Sequence, residues 1–208
     1  MPAVGLVVSG GNTQLFLIES IKKYKLLGET RDDAAGECLD KTARILDLGY
    51  PGGPAIAALA AIEHSALRIK LPRPMINSKD YDFSFSGLKT AVLYDFKKQL
   101  KTIRESAEYK IALAGEIQQA IIDVLLKKTL QAAKEYQTKT VILGGGVAAN
   151  DELQKQLGAG CSKIGISLLF PPKNLCADNA AMVAVAASFH FQNRKEWGRI
   201  EPDANLTV

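Results

Sequence analysis

The chain has 208 residues, 47% of them hydrophobic, which is enough for the core of one large domain or two lobes. Its formal charge of +4 tolerates a polyanionic partner without requiring one. The three cysteines lack CxxC spacing, and no apolar run approaches the roughly 18 residues of a membrane span. We therefore expect a cytoplasmic protein with no disulfide framework, cysteine-rich metal site or membrane anchor.

The first part of the chain predicts a small sheet followed by helices. Three apolar or β-rich runs are expected to form strands, namely 4–8, 13–18 and 24–30. The pattern then becomes helical from Ala35 to Leu46, with Asp32 or Asp33 placed to cap that helix. Pro54 is expected at the first position of an alanine-rich helix that continues to about Arg68.

The later part predicts more helices and two further strands. After a loop over 70–82, helical periodicity covers about 88–100 and 107–136, followed by a strand at 140–143, a short helix capped by Asn150 or Asp151, a strand at 167–170 and a helix from Asp178 to about Phe191. This order predicts an α/β layered domain with a mixed sheet and a mostly helical insertion.

Two glycine-rich turns each follow a predicted strand. Ser9–Thr13 can bring backbone N–H groups close to a phosphate, although a plain hairpin turn explains the same residues. Gly144–Gly146 lead to Asn150 at a helix start, where a nucleotide could bind, or they serve tight packing between strand and helix. Neither spacing matches the Walker A or Rossmann pattern.

Several polar residues have structural explanations that compete with functional ones. Asp178 and Asn179 suit the N-cap of the last helix, and Asp33, Glu37 and Asp40 suit a solvated helix face paired with Lys41 or Arg44. The alternation over 83–89 suits an apolar anchor with a Ser86 cap. His64 and His190 lack HExxH or HxxxH spacing, and no GxSxG elbow is present, so no hydrolase site is indicated.

Six stretches together resemble one family, the tRNA threonylcarbamoyladenosine transferases (TsaD), formerly called O-sialoglycoprotein endopeptidases. They are LVVSGGNTQ at 6–14, LLGETRDDAAGECLDK at 26–41, YPGGP at 50–54, DFSFSGLKT at 82–90, GGGVAAN at 144–150 and CADNAAM at 176–182. The order and the residues of these stretches resemble that family over nearly the whole chain. DDAAGE and SFSGLKT look like the bacterial branch of the family. Asn12 stands where many bacterial members have histidine.

The resemblance implies an actin-like ATPase lobe and a reaction. In that family, threonylcarbamoyl passes from threonylcarbamoyl-AMP to N6 of the adenosine beside the anticodon of tRNA. The implied substrate or nucleotide contacts, with ATP or threonylcarbamoyl-AMP as ligand, are Val7, Val8, Ser9, Gly10, Gly11, Asp40, Gly53 and Asn150. The amides of Gly10 and Gly11 would hold phosphate, and Asp40 and Asn150 would bind adenylate hydroxyls. No catalytic residue is assigned.

The resemblance also implies a metal, partners and an incomplete enzyme. Asp178 is the expected ligand of one Fe²⁺ or Zn²⁺ ion, whose other ligands belong to an HxxxH motif in an N-terminal lobe that this sequence lacks. We expect 1–53 and 138–208 to form the C-terminal lobe and 54–137 the helical insertion. The implied partners are tRNA and the TsaB and TsaE proteins, and the open lobe face could drive self-association.

The sequence therefore predicts a chain that is inactive alone. One alternative is a non-catalytic nucleotide-binding or interaction module with the same fold. Another is the metal-dependent glycoprotein endopeptidase of the older family name.

Overall fold

The computed structural model describes residues 2–62 and 67–189. These residues belong to two compact units, one ending at Ala177 and the other beginning at Asp178. The predictions about His64, His190 and the last two residues of the final helix lie outside the described part.

The described residues form one mixed sheet of five strands in the order β3-β2-β1-β4-β5. The strands are β1 Ala3–Val8, β2 Thr13–Ser20, β3 Lys23–Glu29, β4 Thr140–Gly144 and β5 Ser167–Leu169. β1, β2 and β3 pair antiparallel, whereas β4 pairs parallel to β1 and β5 parallel to β4. The predicted mixed sheet is therefore confirmed.

Six of the described helices lie in the connections from β3 to β4 and from β4 to β5, and a seventh belongs to the second unit. They are α1 Ala35–Ile45, α2 Gly52–Ala60, α3 Ser86–Lys98, α4 Lys101–Arg104, α5 Ala107–Glu135, α6 Asp151–Lys163 and α7 Ala180–Phe189, with 3₁₀ turns at Gly146–Ala149 and Lys173–Leu175. The four-residue α4 was not predicted, because its sequence is too short to show a period. No helix in the part of the chain described here has both the length and the hydropathy needed to cross a membrane.

One hydrophobic core joins the sheet to the helices of the first unit. Alternate side chains of β1, including Val4, Leu6 and Val8, are completely buried, as period-two alternation requires for one face of a strand. Ile117 and Leu125 of α5 are equally buried in the same core. The helical insertion thus packs within the compact unit that contains the sheet, and the proposed boundaries of the insertion stay a prediction.

The predicted start of α1 was wrong in its capping residue. Ala34 occupies the N-cap position, and the Thr13 hydroxyl accepts the Ala35 N–H at 2.9 Å. Asp32 instead binds a distant loop, and Asp33 pairs with Lys41. A partner from a neighbouring strand has therefore replaced the local cap.

The predicted start of α2 was also wrong. The helix begins at Gly52, two residues before Pro54, and its described end is Ala60 instead of about Arg68. The Gly52 N–H donates to Asp40 of α1 at 2.8 Å. A tertiary hydrogen bond thus fixes where this helix starts.

Candidate nucleotide-binding site

The two glycine-rich turns lie at one edge of the sheet. In the parallel pairing of β1 with β4, Val7 lies opposite Gly144, so the carboxyl ends of both strands reach the same edge. Gly145 has a φ of +90°, and a Cβ there would lie 2.3 Å from the carbonyl oxygen of Val8. The contact requires glycine and fixes the two turns side by side, at the edge where open α/β sheets bind ligands.

The Ser9–Asn12 turn is closed by its own hydrogen bonds. The Ser9 N–H donates to the Asn12 carbonyl at 2.8 Å, and the Ser9 hydroxyl oxygen accepts N–H groups from Gly11 at 3.3 Å and Asn12 at 3.0 Å. Neither Gly10 nor Gly11 has a positive φ, and a Cβ on either meets no atom within 4 Å. The fold itself therefore does not need glycine at these two positions, and the space beside their backbone N–H groups is open to a ligand.

The start of α1 packs directly against this turn. The Gly36 N–H donates to the Ser9 carbonyl at 3.1 Å, and a Cβ on Gly36 would lie 2.5 Å from that oxygen. Together with the bond from Ala35 to Thr13, this contact fixes the turn on a helix N-terminus, whose partial positive charge favours an anion. The roles of Thr13 and Gly36 were missed, since only the fold brings them together.

Asp40 and the Gly52-Gly53 pair lie where α1 meets α2. Asp40 Oδ1 accepts the Gly52 N–H, which leaves Oδ2 without a hydrogen bond from the described residues. A Cβ on Gly52 would lie 2.6 Å from the Asp40 Cα, whereas one on Gly53 would only touch Leu39 at 3.8 Å. Gly52 is therefore the packing glycine, and Gly53, the predicted contact, is under no such constraint.

Asn150 uses both ends of its side-chain amide within the protein. Its oxygen accepts the Leu153 N–H at 3.0 Å and caps α6, which confirms the capping interpretation. Its nitrogen donates to Gln118 of α5 at 2.8 Å. Leu39 and Asn150 line the same small cavity, so α1 and the β4 turn are neighbours. Gln118 was missed, because nothing in the sequence relates it to Asn150.

The alternation over 83–86 is organised by Asp32. Asp32 accepts hydroxyl groups from Ser84 at 2.6 Å and Ser86 at 2.7 Å, and backbone N–H groups from Phe85 at 2.8 Å and Ser86 at 3.1 Å. The rings of Phe83 and Phe85 are fully buried. Partial burial raises the pKa of Asp32, but these four hydrogen bonds outweigh it, so the pKa lies below the usual value. Ser86 therefore binds Asp32 and does not act as the predicted cap.

The acidic face of α1 is only partly solvated. Asp33, whose side chain is 14% exposed, pairs with Lys41 at 2.7 Å, and Glu37 pairs with the same lysine at 2.8 Å. Arg44 makes no ion pair among the residues the structure describes. The Lys41 pairing expected from the sequence is confirmed, and both ion pairs lie in the first turns of α1 and the residues just before it.

Asp178 belongs to the second unit, and its place in the site is a prediction. The Asn179 side chain accepts the Met182 N–H at 2.9 Å, so Asn179 acts as the helix cap and Asp178 does not. Within 2–62 and 67–189, no group of three or more His, Cys, Asp or Glu residues could hold a metal ion. Protein zinc sites use three or four such ligands, so the described residues do not by themselves fit the implied metal.

The mixed sheet, with two glycine-rich turns at the carboxyl ends of adjacent parallel strands, defines an α/β lobe. A solved structure of HypF from T. kodakarensis supports this fold class, with a TM-score of 0.65 over 91% of this chain and 34% of that one, at 14% identity. At that identity the likeness concerns the fold alone.

The sequence comparisons show the family. The model of the TsaD family, tRNA N6-adenosine threonylcarbamoyltransferase, matches residues 1–185, and the chain belongs to that family. Proteins of that name from Paracidovorax citrulli and Syntrophomonas wolfei are 49% and 47% identical over 94% and 93% of the chain. The chain covers 55% and 56% of these relatives, so it spans about half their length.

Proposed function

We propose that this chain supplies the nucleotide-facing lobe of an enzyme that transfers threonylcarbamoyl from threonylcarbamoyl-AMP to N6 of the adenosine beside the anticodon of tRNA. The observation that carries the proposal is the convergence of Ser9–Asn12 and Gly144–Asn150 at one sheet edge, in a chain whose relatives bear that enzyme's name. The geometry is suited to an adenylate whose phosphate meets the Ser9–Asn12 turn.

The proposed reaction is an acyl transfer at the carbamoyl carbonyl carbon. A bond forms from N6 of the adenosine to that carbon, the bond from the carbon to the phosphate oxygen breaks, and AMP leaves with the electron pair. The N6 proton passes to solvent. Charge builds on the leaving phosphate, so N–H donors and a helix N-terminus directed at it favour the transition state.

The residues of the lobe bind and orient the adenylate in this proposal. The Gly10 N–H has no acceptor among the described residues and is the donor we assign to the phosphate, beside the N-terminus of α1. Asp40 is held by Gly52 through one oxygen, so its other oxygen can accept a ribose hydroxyl. Asn150 keeps a second N–H for the adenosine side while it caps α6.

The proposed metal and partners extend beyond this chain. Asp178 would contribute one carboxylate ligand to an Fe²⁺ or Zn²⁺ ion, and the other ligands would have to come from elsewhere; bound, such an ion would polarise the carbonyl. Partnership with tRNA and with TsaB and TsaE type proteins, a cytoplasmic location and self-association are further proposals that follow from the family.

A non-catalytic nucleotide-binding module is the second candidate. It rests on the same two glycine-rich turns at one sheet edge, and it requires no contribution from the part of the relatives that this chain does not match. The transferase lobe and the non-catalytic module share the adenylate site. They differ in whether threonylcarbamoyl transfer occurs when the part of a relative that this chain does not match is added to it.

Adenylate binding tests the site shared by both candidates. We expect Gly10→Ala to weaken AMP binding about fivefold or more in calorimetry, because a Cβ there obstructs the phosphate without meeting any protein atom. Asp40→Asn should also weaken binding, yet keep the melting temperature, since its side-chain oxygen can still accept the Gly52 N–H. The matched control is Gly115→Ala in α5, where a Cβ also meets nothing within 4 Å. Equal affinities for all four proteins would contradict the assigned site.

A further inference from the structure

A strongly basic surface lies at the junction of α3 and α4. The eight residues 97–104, KKQLKTIR, contain four basic side chains and no acidic one. We call Lys97, Lys98, Lys101 and Arg104 the basic corner. Its formal charge equals the net charge of the entire chain, which is +4. Short runs of this kind are typical of surfaces that bind nucleic acid.

Helix stability alone does not explain the basic corner. Lys97 and Lys98 lie in the last turn of α3, where positive charge complements the helix dipole, but Lys101 and Arg104 belong to the separate helix α4. Lys97 and Lys98 make no ion pair among the described residues, and Lys101 reaches Glu105 only at 3.9 Å between two exposed side chains. Most of this charge is therefore available to a partner.

An exposed aromatic ring accompanies the lysines. Tyr94 is 69% exposed and precedes Lys97 and Lys98 by three and four residues, so all three occupy one face of α3. Arg104 lies 5.6 Å from the centre of the Phe96 ring, which orients its guanidinium. Cations beside an exposed aromatic ring match the phosphates and unstacked bases of a folded RNA.

The basic corner is one helix length from the candidate site. Ser86, the first residue of α3, is bonded to Asp32, which precedes the N-terminus of α1 and its contact with Ser9. The 13 residues of α3 span about 20 Å at 1.5 Å per residue. An RNA that places one base in the site therefore has backbone phosphates within reach of the corner.

We propose that the basic corner binds the phosphate backbone of an RNA, with Tyr94 as an aromatic contact beside it. The identity of that RNA as the one whose adenosine is modified rests on the function proposed above. Phosphate contacts position an RNA without reading its sequence, so the corner supplies affinity and orientation, and the site selects the base.

A charge-matched pair of variants tests the corner. The triple variant Lys97→Gln, Lys98→Gln, Lys101→Gln removes three positive charges there. The control Lys22→Gln, Lys23→Gln, Lys25→Gln, called the β2–β3 variant, removes three from the β2–β3 turn and the start of β3. All six lysines are exposed, so neither triple variant should change the packing of the hydrophobic core. Binding of a fluorescent anticodon stem-loop RNA to the chain is measured by anisotropy at several salt concentrations.

The corner variant should bind RNA about tenfold or more weakly, and the slope of log Kd against log salt should fall by about two, since each lost phosphate contact removes roughly 0.7. The β2–β3 variant should change affinity less than about threefold. Equal losses in both variants, or no RNA binding by the unmodified chain, would overturn the proposal.

AMP binding by the same proteins separates this proposal from the proposed function. Corner-dependent RNA binding together with no AMP binding would support the corner while rejecting the adenylate site. AMP binding, together with an RNA affinity that is the same in the corner variant and the unmodified chain, would support the adenylate site and reject the basic corner.

Discussion

Individual glycines in the site differ in whether the fold requires them. At Gly145 the positive φ and the Val8 carbonyl leave no room for a side chain, whereas at Gly10 and Gly11 the backbone and its surroundings accept one. At Gly145 the absence of a side chain is needed for folding. At Gly10 and Gly11 the absence of a side chain leaves space for a ligand beside the backbone. The sequence alone shows three adjacent glycines at 144–146 and cannot rank them.

We expect Gly145→Ala to destabilise the protein by about 2–4 kcal/mol, because it combines a strained φ with a backbone clash. The adjacent Gly146→Ala should change the free energy of unfolding by less than about 1 kcal/mol, since a Cβ there meets nothing within 4 Å. Urea unfolding of the two variants checks this difference. Similar losses for both would show that the Val8 contact does not constrain the turn.

Asp32 should contribute to stability in a way that depends on pH. Its folded pKa is lowered, so its contribution is fully present above the unfolded value of about 3.9 and is lost as pH falls through the folded pKa. Asp32→Ala should therefore destabilise the protein at pH 5–8 by a constant amount, and the gap to the unmodified chain should narrow below about pH 4. Urea unfolding across this range measures the gap, and an undiminished gap at the lowest pH would contradict the assignment.

At the scale of elements, the sequence predicted the sheet and the long helices well. Their periodicity extends over many residues, as in the 29 residues of α5. The starts of α1 and α2 were wrong, because their N–H groups are bound by Thr13 and Asp40, which are 22 and 12 residues away. A local pattern carries no information about such partners.

The candidate site could be predicted in outline, because its glycine-rich turns are visible as local sequence patterns. Strands that end in glycine-rich turns are visible in the sequence, and the order of strands and helices predicts a mixed sheet. The parallel pairing of β1 with β4, which brings the two turns together, was not predicted. The bonds from Asp32 to Ser84 and Ser86 and from Asn150 to Gln118 join residues more than 30 positions apart. They appear only when the elements are packed.

Lys128 should be important for the attachment of the 78–83 loop to α5. Its side chain is 1% exposed, donates to the Ser78 hydroxyl at 2.8 Å and the Asp80 carbonyl at 2.9 Å, and lies 5.9 Å from the centre of the Phe83 ring. Burial lowers the pKa of Lys128, although the nearby Asp80 acts in the opposite direction. The loop leads directly into the segment bound by Asp32.

We expect Lys128→Ala to cost about 2–4 kcal/mol of stability, since it removes buried hydrogen bonds and leaves a cavity. Lys127→Ala is the matched control, because Lys127 is exposed and its side chain bonds to Asn77 and to no other described residue. Its cost should stay below about 1 kcal/mol. Chemical denaturation gives both values. Equal effects would mean that Lys128 does not anchor the loop.

At the scale of the whole molecule, the fold and the family are shown, and the activity is a proposal. The described residues place two glycine-rich turns at one sheet edge but contain no metal-binding group of three or more ligands. Relatives with the transferase name are nearly twice as long as the region they share with this chain. In the proposed function, transfer requires residues from the part of these relatives that the chain does not match.

The most direct test compares the chain alone with a fusion that adds the part of the Paracidovorax citrulli relative that it does not cover. Threonylcarbamoyl transfer to tRNA and metal content are measured for both, with the bacterial partner proteins present. We expect transfer and stoichiometric metal only in the fusion, and we expect Gly10→Ala to abolish that transfer. Transfer by the isolated chain, or a fusion that binds metal and folds but is unaffected by Gly10→Ala, would contradict this expectation.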